Sequence, residues 1–249
     1  MSKPHALSAH PLAAFLGALA LCATTAAPAA LAGPLHLSLG FSSLPSAQGF
    51  TYTASGSHAG VLESSVFAVG SGVLSQNTIG QANGTAGGGL YYQATGGVTT
   101  TETKQLRVRA RCTQTVGTSA NPNGLGGFAF GFANGATQYD FGITPTRVYV
   151  LSGSAQVAVA GSYDNTQFHD YVFEYASASL QRLYRDGVLL FSGASGGALA
   201  VNRVFFGDTT GGANAAGEVA GFEFVQDLTT DVVPSTWGRI KSTFVSRVR

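Results

Sequence analysis

The sequence predicts an all-β protein built from two packed antiparallel sheets. Three observations carry this. Short runs of β-branched and aromatic residues alternate with polar ones along residues 35–226. Gly, Asn or Asp separates most of these runs, and glycine alone supplies 34 of 249 residues. Side chains that build helix surfaces are scarce. Only 10% of residues are charged, against roughly a quarter in a typical globular domain.

The strands follow in order. Leu35-His-Leu-Ser-Leu39 alternates strictly, as a half-buried strand does. Ser65–Val69 and Val73–Asn77 come next, divided by Gly70-Ser-Gly72. In Lys104–Cys112, Leu106, Val108, Ala110 and Cys112 fall on one face and Arg107, Arg109 and Arg111 on the other. Phe128, Phe130 and Phe132 recur at period two and read as core. The hairpin dipeptide Asn134-Gly135 follows, then strands at Gln138–Ile143, Arg147–Leu151 and Gln156–Ala160. His169–Tyr175, Leu180–Arg185 and Val188–Phe191 form further hairpins, with Asp186-Gly187 at one turn. Asn202–Gly207 and Glu218–Phe224 close the series. About a dozen antiparallel strands in one domain fold as two packed sheets. Phe130, Val148, Phe173, Leu183, Phe205 and Phe222 are expected in their common core.

The two ends differ from this body. Residues 1–32 have the parts of a secretory signal peptide: Lys3, the apolar run Leu12–Cys22, and Ala30-Leu31-Ala32 at the exit. The run is shorter than the roughly 20 residues a membrane span requires. Export places the protein outside the cytoplasm, secreted or on the cell surface. It leaves Cys112 alone in the mature chain, so no internal disulfide is expected. Residues 33–232 form one domain carrying 8 basic and 12 acidic side chains. That balance gives no footprint for nucleic acid. Residues 233–249 add Arg239, Lys241, Arg247 and Arg249 with no acid. There Trp237, Ile240, Phe244 and Val248 recur at helical spacing after Pro234-Ser235. The spacing predicts a short basic amphipathic helix, read either as packed on the sandwich or frayed at its end, or as an element for contact with an anionic membrane surface.

From His169 to Phe224 the chain resembles a known family. The residues are Phe168–Tyr175, Leu180-Gln-Arg-Leu-Tyr-Arg-Asp-Gly-Val188, Arg203–Gly207 and Gly217-Glu-Val-Ala-Gly-Phe-Glu-Phe224. This pattern is similar to the C-terminal half of a laminin-G-like, concanavalin A-like jelly roll. Phe41–Phe50 resembles the N-terminal part of bacterial members. The resemblance implies the jelly-roll sandwich, a frame that hosts lectins, glycosidases, adhesion modules and spacers alike.

Few residues offer catalytic chemistry on that frame. The glucanase branch of the family carries Glu-x-Asp-x-x-Glu on one strand, and this chain has no such motif. Glu218 and Glu223 are five residues apart, an odd number, and are expected to point to opposite faces of their strand. Asp227 and Asp231 are the other close pair. No Gly-x-Ser-x-Gly elbow is present. His169 and Asp170 are strand neighbours facing opposite ways, and His169 is expected to cap its hairpin. Calcium would need oxygen ligands from Asp140, Asp164, Asn165 and Asp208, whose spacing gives no reason to converge. His36, His58 and His169 are too far apart for a zinc set. No cofactor is expected, with calcium the one metal these residue types leave open though the spacing does not support it. Arg107 and Arg109, Tyr139, and Arg147 with Tyr149 are the candidate ligand-binding residues, if their strands line one groove.

The expectation is a secreted or surface-exposed, non-catalytic domain that binds an extracellular glycan or surface protein. The alternatives are a structural or adhesive surface protein without a small ligand, and a glycoside-active enzyme of the same fold. The export signal is directly testable. Mass spectrometry of exported protein should show Gly33 as its first residue, and an intact Met1 or Ser2 terminus on the secreted form would contradict the cleavage after Ala32.

Overall fold

The computed structural model of the protein describes residues 35–81, 88–117 and 126–226. The expected signal peptide and C-terminal helix lie outside these residues. In chain order the elements are β1 (His36–Leu39), a 3₁₀ turn (Pro45–Gln48), β2 (Thr51–Gly56), α1 (Glu63–Val66), β3 (Phe67–Gly70), β4 (Val73–Asn77), β5 (Gly88–Thr95), β6 (Lys104–Gly117), β7 (Ala129–Asn134), β8 (Thr137–Ile143), β9 (Val148–Ser152), β10 (Ala155–Ala158), β11 (His169–Ser177), β12 (Leu180–Arg185), β13 (Val188–Gly193), β14 (Gly197–Ala198), β15 (Asn202–Asp208) and β16 (Ala213–Gln226).

These strands make two antiparallel sheets of eight. The first runs β13-β12-β11-β6-β16-β4-β3, with β1 also paired to β16. The second runs β10-β9-β8-β7-β15-β5-β2, with β14 paired to β8. The order crosses repeatedly between sequence neighbours, as in a jelly roll. The all-β sandwich read from the sequence is present. Ser65–Val69 differs in detail: α1 covers Glu63–Val66, and the strand begins at Phe67. There the Phe67 amide donates to the Glu63 carbonyl, and Ser65 turns its hydroxyl back on the Leu62 carbonyl at 2.6 Å.

The gap between the sheets is filled by aromatic rings. Phe206 from the second sheet meets Phe222 from the first at 4.6 Å between centroids. It also meets Tyr92 at 5.5 Å and Phe50 at 5.8 Å. Farther along, Phe132 packs on Phe173 and Phe224, and Phe141 on Tyr171 and Phe173. Phe128, Phe130 and Phe132 are core, as their period indicates. The place of Phe205 differs from the expectation. Phe206 takes the core position, and Phe205 is fully buried on the opposite face of β15. Two adjacent phenylalanines fit either parity, and the register against β7 decides between them.

The Asp186-Gly187 turn has φ of 51° and 81° at its two central residues, the backbone of a type I′ hairpin. His169 braces it. Its Nδ1 lies 2.6 Å from Asp186 Oδ2, and Arg185 donates to its Nε2 at 2.6 Å. An imidazole carrying its proton on Nδ1 satisfies both contacts. His169 therefore has the structural place expected for it.

The aromatic core supports a stability prediction. Phe206→Ala should cost about 3–5 kcal/mol in urea unfolding. Val188→Ala, at a position 63% exposed on an edge strand, should stay within about 0.5 kcal/mol. Equal costs would contradict a core organised around Phe206.

Candidate functional site

The outer face of the second sheet is built from three rungs that cross adjacent strands. Partners in an antiparallel ladder share a face, so the register assigns the side chains. The first rung is Thr95, Arg203, Ala133 and Gln138. The second is Thr51, Gln93, Phe205, Gly131 and Asp140. The third is Thr53, Tyr91, Gly207, Ala129, Gly142 and Tyr149. The middle of the grid is Gly and Ala, so bulky neighbours lie down across it. A Cβ on Gly131 would stand 2.8 Å from the Phe205 ring, and one on Gly142 would stand 1.9 Å from the Tyr149 ring. Both rings are fully buried, yet neither belongs to the core between the sheets.

Arg203 organises the surface above this floor. Its guanidinium lies 4.7 Å from the Phe205 ring centroid and 5.0 Å from that of Tyr91. Nη1 donates to Tyr91 Oη at 2.8 Å and to Gln93 Oε1 at 3.2 Å, and Nη2 donates to Gln138 Oε1 at 3.1 Å. The amides continue the network. Gln93 donates to Thr53 at 3.2 Å, and Gln138 donates to Asp140 Oδ2 at 2.6 Å. Arg203 and Asp140 are the only charged side chains that this sheet's strands carry on that face. Asp208 turns the other way, toward Thr78 of the first sheet's end.

Burial pushes the Asp140 carboxyl up to about 6, against the lowering pull of the Gln138 hydrogen bond and the Arg203 charge. Burial also drives the Tyr149 phenol well above its usual range, with the Asp140 and Asp208 charges adding to the effect. The result is a planar, pre-oriented cation between aromatic rings, flanked by amides and one reluctant acid. Such a surface can hydrogen-bond and stack. A glycosidase needs two carboxyls about 5–9.5 Å apart, and among the described residues the strands of this sheet supply one on this face.

The sequence-derived candidates are dispersed. Only Tyr149 lies on this face. Tyr139 points into the core, 4.9 Å from Tyr175 and 5.5 Å from Phe132. It shares the parity of Phe141 and Ile143, a signal already present in the sequence. Arg147 is exposed on the turn before β9. Arg107 and Arg109 lie on the outer face of the first sheet. Arg107 pairs with Glu223 at 3.3 Å and Arg109 with Asp170 at 3.2 Å. On that same face Arg111 pairs with Glu218 at 2.8 Å.

Glu218 and Glu223 therefore share a face, contrary to the parity argument. The ladder to β6 skips Ala220 between Val219 and Gly221, and this bulge shifts the alternation by one. Their partners Arg111 and Arg107 are four residues apart on β6, about 13 Å along a strand. Both carboxylates are held by arginines. No group of three or more His, Cys, Asp or Glu able to hold a metal occurs among the described residues. Asn165 is occupied structurally, donating to the Thr144 and Arg147 carbonyls and accepting from the Tyr171 hydroxyl.

No protein-family profile and no curated protein match the chain. Solved structures do. A carbohydrate esterase from the Shiga toxin-encoding bacteriophage phi24B aligns over 77% of this chain and 97% of its own, at 13% identity and a TM-score of 0.50. A prokaryotic β-1,3-1,4-glucanase from a mouse hindgut metagenome aligns over 78% and 99%, at 12% identity and a TM-score of 0.47. The Bacillus licheniformis β-glucanase aligns over 77% and 96%, at 11% identity and a TM-score of 0.47. The chain has the concanavalin A-like lectin/glucanase fold. At these identities the likeness is one of fold. The concanavalin A-like frame is shared by glycan-active enzymes and binding domains, and the side chains set on it decide between them.

The buried acids make stability depend on pH. Asp208 is fully buried with Thr78 Oγ1 at 2.7 Å, and burial pushes its carboxyl up to about 8. A raised carboxyl keeps its proton longer in the folded state than in the unfolded one. Its stabilising share is complete below the ordinary value of 3.8 and is lost as pH climbs to about 8. Thermal melting should therefore show Tm falling between about pH 5 and pH 8. Asp208→Asn should flatten that fall by several degrees. An unchanged slope in the variant would remove Asp208 as its source.

Proposed function

We propose that this protein is an exported, non-catalytic binding domain that takes an extracellular glycan on the outer face of its second sheet. Tyr91, Gln93, Gln138 and Arg203 are the contact residues. The observation that carries the reading is the Arg203 network: a guanidinium held near two aromatic rings by three hydrogen bonds. Orientation fixed before binding lowers the entropy cost of capturing a flexible sugar chain. Sugars present hydroxyls around weakly polar ring faces, which suits a surface of amides, phenol and stacked planes.

Two observations support binding over hydrolysis. Asp140 is the only carboxyl that the sheet's strands place on this face, and Glu218 and Glu223 sit on the other sheet in ion pairs with arginines. The export signal in residues 1–32 supports a place of work outside the cytoplasm.

Calorimetric titration with a panel of oligosaccharides tests the reading. Tyr91→Ala should weaken the best ligand by about tenfold or more, as loss of an aromatic anchor does. Arg182→Ala, on the opposite sheet, should leave affinity unchanged. Release of reducing sugar by the mature protein, abolished by Asp140→Asn, would overturn the non-catalytic reading.

A further inference from the structure

The arginines on the outer faces of the two sheets are treated differently; Arg185, at the end of β12, stands apart and gives its bonds to His169 Nε2 and the Asp164 carbonyl at the hairpin it braces. On the first sheet Arg107, Arg109, Arg111 and Arg182 each meet a carboxylate, at 3.3, 3.2, 2.8 and 4.0 Å. These residues are ordinary surface pairs that knit neighbouring strands. Arg203 forms no ion pair among the described residues. All three of its acceptors are neutral: a phenol oxygen and two amide oxygens. Its Nε–H is buried without a partner among the described residues. Asp140, the single acid on this face among the described residues, gives its close contact to Gln138 and stands one side chain removed from the guanidinium.

Neutral acceptors orient a guanidinium but do not cancel its charge. Holding a cation half-buried without a direct ion pair costs desolvation that such a pair would partly recover, and Asp140 acts on Arg203 only through space and through Gln138. A strand-borne arginine left in this state suits a partner that brings the negative charge. Guanidinium geometry matches planar two-oxygen anions, carboxylates above all. The aromatic planes of Tyr91 and Phe205 bracket the same group, so a ring bearing the carboxylate has a surface to lie against.

We infer that the glycan is acidic, with a carboxylate-bearing sugar ring whose carboxylate pairs with Arg203. The inference rests on the glycan-binding reading above and names its ligand class. Arg203 is then the specificity-determining residue of the face. Gln93, Gln138 and Tyr91 position its guanidinium.

Titration with three probes at matched length decides it: a uronic-acid oligomer, a sulfated neutral-backbone oligomer and an uncharged β-glucan oligomer. The uronic oligomer should bind tightest, and its affinity should fall as salt is raised, because the contact is ionic. Arg203→Gln should weaken it by about 10- to 100-fold, the range for losing a hydrogen bond to a charged group. Arg203→Lys, which keeps the charge but loses the planar fork, should recover only part of that loss. A melting curve for each variant shows that it is folded. Because the native Arg203 carries so many contacts, the salt and probe comparisons are also made on unmodified protein, where they separate the ligand classes without any substitution. If the β-glucan oligomer binds as well as the uronic one, with no salt dependence and with Tyr91→Ala weakening both, the acidic-ligand inference fails and the binding reading stands. If the sulfated oligomer binds tightest, the carboxylate assignment is overturned. If no oligosaccharide binds, the binding reading and the inference fall together.

Discussion

The packing of aromatic rings between the sheets is the constraint on which this structure depends. No disulfide forms among the described residues, and Cys112 is a buried free thiol. Without a cross-link, the two hydrogen-bonded sheets are held together by the apolar burial between them. Phe206 shows how. One ring touches Phe50, Tyr92 and Phe130 as well as Phe222 across the gap. Edge-to-face and tilted pairs of this kind add about 0.5–1.5 kcal/mol each beyond the area they bury. They also fix register, since a one-residue slip would carry every ring to the wrong face. The outer faces inherit their alignment from this core.

Those two outer faces received opposite chemistry. On the first, Arg107, Arg109, Arg111 and Arg182 alternate with Glu223, Asp170, Glu218 and Glu174 across strands, and Phe168 lies 4.9 Å from the Arg111 guanidinium. Half-exposed pairs like these contribute little stability singly, but they keep a broad sheet soluble and its strands in register. The second face has a floor of Gly131, Gly142 and Gly207, rings lying over the glycines, and one cation without an ion pair among the described residues. Nothing about sheet stability requires that arrangement. Glycine inside a strand weakens it by its backbone entropy and its missing side chain.

The sequence made the fold legible because its signals are local. The Asp186-Gly187 turn, the Asn134-Gly135 turn and the period of Phe128, Phe130 and Phe132 each need only a few residues to read. The site was less legible because it depends on parity carried across strands. A single bulge at Ala220 put Glu218 and Glu223 on one face. Tyr139 reads as a surface residue beside Arg147 and Tyr149, although Phe141 and Ile143 share its face. Arg203 and Phe205 sit in a segment that reads as an ordinary strand of the jelly roll, with nothing local to mark a site. Their role emerges only when β15 is seated between β5 and β7. Spacing along one strand could not show that Gln93, Phe205, Gly131 and Asp140 lie side by side.

The cost of the second face is itself informative. Asp140 is buried deeply enough that its carboxyl is pushed up to about 6, and an apolar residue of similar size would avoid the penalty. Its contact runs through Gln138, whose other end holds Arg203. Removing the acid would free the Gln138 amide to rotate, and with it one of three restraints on the guanidinium. Asp140 thus makes mechanical sense as the anchor of an orienting chain, a role that a core-packing residue could not fill. A sheet with three glycines and a buried acid on one face, beside a partner sheet faced with paired charges, carries there an arrangement that its own stability does not call for, which is what the proposed binding role would account for.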